Sequence, residues 1–440
     1  MSETFFPRWR RVDGAEGAVV APDERLPAGQ SVAMGAQHVV AMFGSTVLAP
    51  LLMGFDPNVA ILMSGVGTLI FFLFVGGRVP SYLGSSFAFI GGVVAVTGYA
   101  GSGPNPNIGV ALGAIILCGL VYAIVGALVW WQSSRPGGGT AWIETLMPPV
   151  VTGAVVAVIG LHLAPIAVRG AVGSSGFDAT MAIITILCVG GMAVYTRGVL
   201  QRLLILAGLV LACVIYFLAA NVAGLGTPIN LSGLSQAAWF GLPTFSAPVF
   251  RAEAMGLIVP VVVILVAENL GHVKAVAAMT GRDLDPYMGR AFVGDGVATM
   301  LSGSVGGTGV TTYAENIGVM AVTRIYSTLV FVIAALIAIL LGFSPKFGEL
   351  IRAIPGPVLG GMSVVVFGLI AVAGARIWVE NKVDFSNNRN LIVAAVTLVL
   401  GAGDFTLTFG NFALNGIGTA TFGAILLYAI LRPRAPTIGR

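Results

Sequence analysis

Two carboxylates lie in stretches of this chain where little else is polar. Glu315 sits in residues 304–327, SVGGTGVTTYAENIGVMAVTRIYS, and Glu268 lies in the apolar run at 254–272, with His272 four residues further on. An ionisable side chain inside a bilayer costs about 2.5–3.5 kcal/mol on insertion scales, so such a group marks a functional position by default. A carboxylate accepts hydrogen bonds. The first turn of a helix offers unpaired backbone N–H groups and a partial positive charge. Residues 86–88 and 313–316 read as two such starts, facing each other, with Phe87 and Tyr313 as aromatic surface beside them. Donors for two carbonyls, acceptors for two ring N–H groups and a flat apolar face suit a neutral pyrimidine-2,4-dione. They suit an inorganic anion poorly, because the core spans offer no Arg or Lys.

Each of these residues has a plainer reading beside the functional one. Glu315 is also placed to cap its own half-helix, and Glu268 with His272 at i, i+4 is also a structural pair within one helix. His38, after Gln37 in the first span, is either a packing histidine or a ligand contact, and His162 reads as structural or interfacial. Asp295 and Asp404 fall near span ends and read as solvated or cap-like; Tyr313 is either packed or stacked on a ligand. Two buried carboxylates near one another also make a proton-binding pair. Glu268 or Glu315, aided by His272 and Asn316, is therefore the expected coupling group for a proton gradient. The chain shows no nucleophile–base constellation, metal-ligand cluster or phosphate-binding loop, so neither an enzyme nor a metal or organic cofactor is expected. Cys118, Cys188 and Cys213 stand alone in apolar runs, which indicates neither disulfide nor zinc.

These residues must be held by membrane helices. Of 440 residues, 57% are hydrophobic and 9% charged, against roughly 25% charged in a soluble domain. A lipid bilayer is the expected surrounding, and the scattered basic residues give no nucleic-acid signal. The 61 glycines suit close helix contact in lipid. Fourteen apolar runs fall near 31–52, 58–76, 86–99, 109–131, 147–168, 178–196, 201–223, 254–272, 291–303, 312–322, 324–343, 356–374, 390–403 and 412–431. Three of them, 86–99, 291–303 and 312–322, are too short to cross about 30 Å of hydrocarbon as helices. The first and last follow VPSYLGSS and SGSVGGTGVTT, and both read as half-helices with an extended lead-in. With the N-terminus cytoplasmic, only Arg169, Arg251, Lys346 and Arg352 of the 22 Lys and Arg fall outside, which places both termini inside. The polar first 30 residues lack the apolar core of a cleaved signal peptide.

The runs also repeat. Pro149-Val-Val-Thr-Gly153 with Gly160-Leu161 matches Pro357-Val-Leu-Gly-Gly361 with Gly368-Leu369, in the fifth and twelfth runs. Ser85-Ser86-Phe87-Ala88 matches Thr311-Thr312-Tyr313-Ala314, in the third and tenth. Both offsets are seven runs, an odd number, so the second copy enters the membrane inverted. The expected fold is an all-α membrane protein of fourteen transmembrane segments in a 7+7 inverted repeat, with its site where the broken helices meet.

Residues 315–324, ENIGVMAVTR, resemble the signature of the nucleobase–ascorbate transporter family, the uracil/xanthine permeases. That signature is Gln, Glu or Pro, then Asn-x-Gly, four free positions, then Thr and a basic or small residue. Gln37-His38, Ala267-Glu268 with Gly271-His272, and YLGSSFAFI at 82–90 resemble three further family motifs, and the likeness spans about 31–431. It implies a cytoplasmic N-terminus at 1–30, a core domain at 31–140 and 251–345, a gate domain at 141–250 and 346–432, and a cytoplasmic tail at 433–440. It also implies a homodimer in the bacterial inner membrane and uracil–proton symport. Carried over by position, Glu268 and Glu315 contact a pyrimidine and the amides of Phe87 and Ala314 meet its carbonyls. His272 then acts at one remove, and Tyr313 lines the pocket. Ala314 stands where uracil permeases usually have glycine, and Phe367 where a gate tyrosine occurs, so thymine or another pyrimidine is an open alternative. Xanthine or urate on the same fold is a second alternative, and an anion transporter or channel a third.

Overall fold

The fold was described from a computed structural model, which covers residues 5–12, 19–99, 103–135, 141–197, 203–409 and 412–432. The tail at 433–440, residues 1–4 and 13–18 of the N-terminal segment, and Arg202 in the seventh run lie outside these residues.

The chain is mainly helical. Its first half contains α1 (Ala28–Met53), α2 (Pro57–Phe74), α3 (Ala88–Thr97), α4 (Ile108–Ser133), α5 (Pro149–Val172), α6 (Gly176–Tyr195) and α7 (Leu204–Phe217). The second contains α8 (Ala252–Ile258), α9 (Val261–Thr280), α10 (Met288–Val305), α11 (Ala314–Thr323), α12 (Thr328–Gly342), α13 (Pro345–Arg352), α14 (Gly356–Glu380), α15 (Asn388–Ala402) and α16 (Gly416–Ile430). Among the described residues, eight helices are long and apolar enough to cross a membrane, with α8 and α9 taken as one span; α12 and α13 form a further pair bent by 82°. Local signals set the ends. Asp56 accepts from the N–H groups of Asn58 and Val59 to start α2 on Pro57, and α1 stops at Gly54, whose φ of +74° favours glycine.

Among the described residues, three short strand pairs interrupt the helices: β1 (Arg10–Arg11) with β2 (Glu24–Arg25), β3 (Leu83–Ser85) with β4 (Val310–Thr312), and β5 (Leu407–Phe409) with β6 (Phe412–Leu414). The two lead-ins read as extended are β3 and β4. The run at 291–303 requires a correction: it is the middle of α10, an 18-residue helix about 27 Å long. Gly294, Asp295 and Gly296 lower its hydropathy without breaking it.

Glycines let helix backbones meet. A Cβ on Gly160 would lie 2.2 Å from the Phe367 carbonyl, and one on Gly360 2.3 Å from the Ala171 nitrogen, so α5 and α14 pack antiparallel in direct contact. The same holds for α4 against α10, where a Cβ on Gly289 would lie 2.2 Å from Trp130 N, and for α2 against α12 at Gly65 and Gly342. These are small-residue contacts of the kind membrane helices use in place of a hydrophobic drive.

Several of the packing pairs share a pattern. Numbered by apolar run, α4–α10 joins 4 to 9 and α2–α12 joins 2 to 11; a shift of seven exchanges them. The same shift exchanges α1–α12 with α4–α8, α6–α7 with α15–α16, and α6–α14 with α5–α15. It maps β3–β4 and α5–α14 onto themselves, and both of these pairs are antiparallel.

Candidate functional site

The site forms where the third and tenth runs cease to be helical. β3 and β4 pair with Leu83 opposite Thr312, Gly84 opposite Thr311 and Ser85 opposite Val310, and all six residues are buried. The ladder extends through Ser86 N–H to Gly309 O at 2.9 Å and Tyr313 N–H to Tyr82 O at 3.0 Å. Extended backbone is tolerable inside an apolar protein only when its polar groups are paired in this way. Two glycines make room: a Cβ on Gly84 would lie 2.5 Å from the Tyr313 ring, and one on Gly309 2.2 Å from the Phe89 ring.

Because the strands are antiparallel, α3 and α11 leave the ribbon at opposite ends and their N-termini face inward across it. Ser86 Oγ accepts from Ala88 N–H at 3.3 Å, while among the described residues the N–H groups of Phe87 and Ala314 meet no acceptor. Glu315, in the first turn of α11, accepts a short hydrogen bond from Ser45 of α1. It also lines an apolar cavity of about 400 Å³ with Val40, Gly318, Val319 and Leu204. Glu268 lies on α9, which packs against β4 and α11, and among the described residues its buried Oε2 has no hydrogen-bond partner.

The other expected residues lie on the ribbon or behind it. His272 Nδ1 is 2.9 Å from Thr312 Oγ1, so the histidine reaches the ribbon through a threonine. Tyr313 is fully engaged: its hydroxyl accepts from Thr46 at 3.1 Å and donates to Ser85 O at 2.9 Å, tying the two lead-ins together. Phe87 meets Phe367 of α14 edge to face at 5.9 Å. Asn316 turns to the other side of α11, where its amide donates to both Nδ1 and the carbonyl of His38 at 3.0 and 3.1 Å. An amide that donates to both requires the His38 tautomer with its proton on Nε2. His38 and Asn316 therefore brace α1 against α11, behind the ribbon.

Asp295 is a correction. It is neither solvated nor at a span end; it lies in the middle of α10, fully buried, where Asn269 donates to it at 2.7 Å. The same amide donates to Tyr122 at 3.0 Å, and Asn269 Oδ1 lies 3.5 Å from Thr312 Oγ1. A buried polar chain thus runs from Asp295 through Asn269 and Thr312 to His272. Asp404 does act as a cap, accepting from Gly416 N–H at 2.9 Å, and His162 bonds the Gly401 carbonyl at 3.1 Å from α5. Ser45, Thr46, Asn269 and Tyr122 were not singled out from the sequence. Only Asn269, adjacent to Glu268, carries a local signal, since an amide in an apolar run needs a partner.

A protein of this kind, with many apolar helices and one polar site built on two interrupted ones, is a multi-pass membrane protein of the permease class. The chain belongs to the permease family of nucleobase–ascorbate transporters, whose model matches residues 29–409. It is 68% identical to the "Putative pyrimidine permease RutG" of Escherichia coli strain K12, over 97% of this chain and 95% of that one. It is 42% identical to the "Uracil permease" of Paenibacillus larvae, over 93% and 96% of the two chains, and 38% identical to that of Bacillus subtilis, over 91% and 92%. Among solved structures it shares its fold with the murine Slc26a9 anion transporter, at a TM-score of 0.65 and 10% identity over 92% of this chain and 68% of that one. The transmembrane domain of the cyanobacterial bicarbonate transporter BicA gives 0.64 and 15% over 91% and 96%.

Proposed function

We propose that this protein is a proton-coupled symporter that imports uracil or a related pyrimidine nucleobase across the bacterial inner membrane. The observation that carries the reading is the pairing of unlike groups at one ribbon. Two carboxylates, one with a buried oxygen lacking any donor, lie beside two helix N-termini with free N–H groups. The carboxylates accept from ring N–H groups, and the Phe87 and Ala314 amides donate to ring carbonyls. The names of the relatives at 68% and 42% identity support a pyrimidine. No Lys or Arg occurs in β3, β4, α3 or the first turn of α11, which disfavours an anion despite the shared fold.

Coupling follows from the same residues. A carboxyl that holds a proton when the pocket is empty and releases it on one side only links substrate to the gradient. Glu268 and Glu315 are the candidates, with His272 one turn beyond Glu268 on α9 and bonded to Thr312 of the ribbon, and with Asn316 holding α11. The exchange of packing pairs under a seven-run shift supports fourteen spans in a 7+7 inverted repeat, and the distribution of Lys and Arg supports both termini cytoplasmic. The dense packing within α1, α2, α4, α10 and α12, and within α5, α6, α14, α15 and α16, supports a core moving against a gate; the assembly we propose is a homodimer.

Purified protein in liposomes tests this. Uptake of radiolabelled uracil is expected to rise with an inward proton gradient and to be competed by thymine more than by xanthine. Uptake indifferent to the gradient removes the coupling, and stronger competition by xanthine replaces the pyrimidine with a purine. A Glu268→Gln variant that stays fully gradient-dependent removes Glu268 as the coupling group.

A further inference from the structure

The described part of the N-terminal segment is extended and lies across the ends of the core helices. Val20 N–H donates to Arg324 O at 3.0 Å, and Tyr326 N–H donates back to Val20 O at 2.8 Å, so Val20 and Ile325 form a parallel bridge. Pro22 O accepts from both the N–H and the hydroxyl of Thr328, at 3.1 and 3.0 Å, and Trp9 Nε1–H donates to that hydroxyl at 2.9 Å. Asp23 pairs with Arg282, just beyond the end of α9. The side chains of Val20 and Leu26 are 2% and 4% exposed.

The positions of these contacts matter. Arg324 is the C-cap of α11, held at φ +57°, a left-handed conformation that a non-glycine residue adopts only at a cost. A ten-residue helix is too short to be stable by itself. Its N-terminus carries Glu315, so its other end must be fixed if that carboxylate is to hold position. The same short strap grips the chain beyond α9, the helix of Glu268 and His272. Of the residues leading into α8, Val249 makes a comparable contact, its N–H donating to Gly109 O at 2.7 Å at the start of α4.

We infer that the strap at 19–27, through Val20 and Asp23, is a positioning element of the transport site: it joins the far ends of the two carboxylate-bearing helices and sets the spacing of Glu268 and Glu315. This rests on the reading of those carboxylates as the substrate site, so its test has one arm that needs no substrate. Val20→Pro removes the N–H that caps Arg324, and Asp23→Arg breaks the ion pair; each is made in the full chain, with the Asp23→Arg/Arg282→Asp double variant as the rescue.

The first readout is hydrogen–deuterium exchange. Faster exchange is expected at 314–327 and 268–282 in both single variants, with α5 and α14 unchanged and the double variant restored. Exchange that is unchanged, or faster throughout the molecule, overturns the positioning role whatever the protein transports. The second readout is uracil uptake in liposomes. KM is expected to rise roughly tenfold in the single variants with Vmax within about twofold, and the charge swap to recover most of the loss. Altered exchange with an unaltered KM overturns the link to substrate affinity. Wild-type protein that takes up no pyrimidine contradicts the function and leaves the exchange result standing.

Discussion

The two half-helices share a plan and differ in chemistry. α3 and α11 each follow a three-residue strand, each contain ten residues and each end in a left-handed residue, Gly98 and Arg324. Their strands pair with one another through equivalent positions. Yet where α11 carries Glu315, the aligned position of α3 holds Phe89, fully buried against Gly309. The first N–H groups of α3 are partly occupied by Ser86, and Phe87 turns to Phe367 across the helix boundary. The Tyr313 hydroxyl from the α11 side reaches over to Ser85 and fastens the ribbon. The two half-helices share the crossed geometry, and only α11 carries a carboxylate in its first turn.

The sharpest way to break this comparison is to truncate the aligned pair. Glu315→Ala is expected to lower uracil uptake by roughly 100-fold or more while the protein stays folded. Phe89→Ala, at the aligned position, is expected to act on the fold, costing about 3–5 kcal/mol as a buried aromatic truncation. Uptake and thermal unfolding measured on both variants separate these outcomes, and equal losses of uptake with equal stability would contradict the division of labour.

Next in size are the glycines of the ribbon. Gly84→Ala and Gly309→Ala each force a methyl into an aromatic ring, so each is expected to destabilise by about 1–3 kcal/mol, read as a lower unfolding temperature. A comparable effect is expected from Tyr313→Phe. It leaves Ser85 O and Thr46 without their hydroxyl partner, at about 1–3 kcal/mol for the buried unpaired groups, and loosens α11 relative to α3. A KM that rises more than stability falls is the expected sign.

The smallest effect sharpens the comparison at the far end of α11. Burial pushes the Asp23 carboxyl up, but the bond from Arg282 and the charge of Arg78 hold it below the ordinary aspartate value. A carboxyl depressed in the folded state contributes stability above its unfolded pKa and loses it only as pH falls through the lower folded value. Exchange at 320–327, corrected for its intrinsic pH dependence, is therefore expected to be flat between about pH 5 and pH 8. Loss of protection within that window would mean that another group holds the strap.

Much of this was legible in the sequence, and the rest was hidden for physical reasons. Glu268 and Glu315 stand out because a carboxylate in an apolar run is costly. β3 and β4 stand out because Gly, Ser, Thr and Pro cluster before two short runs. Asp295 was misplaced because the run read at 291–303 begins three residues inside α10 and so sets Asp295 near its start, whereas Asn269, 26 residues earlier, makes its burial possible. Ser45 and Thr46 are ordinary in a membrane helix until a chain segment about 270 residues away brings them Glu315 and Tyr313. The strap gave no signal, since a few extended residues have no period to read and their partners lie some 300 positions away.

The most direct measurement is a structure of the protein with uracil bound, determined by electron cryomicroscopy in a lipid nanodisc. The ring is expected at the β3–β4 ribbon, with its carbonyls on the Phe87 and Ala314 N–H groups and its own N–H groups on Glu268 and Glu315. Density for the base away from the ribbon, or a bound base that leaves both carboxylates uncontacted, would contradict the account.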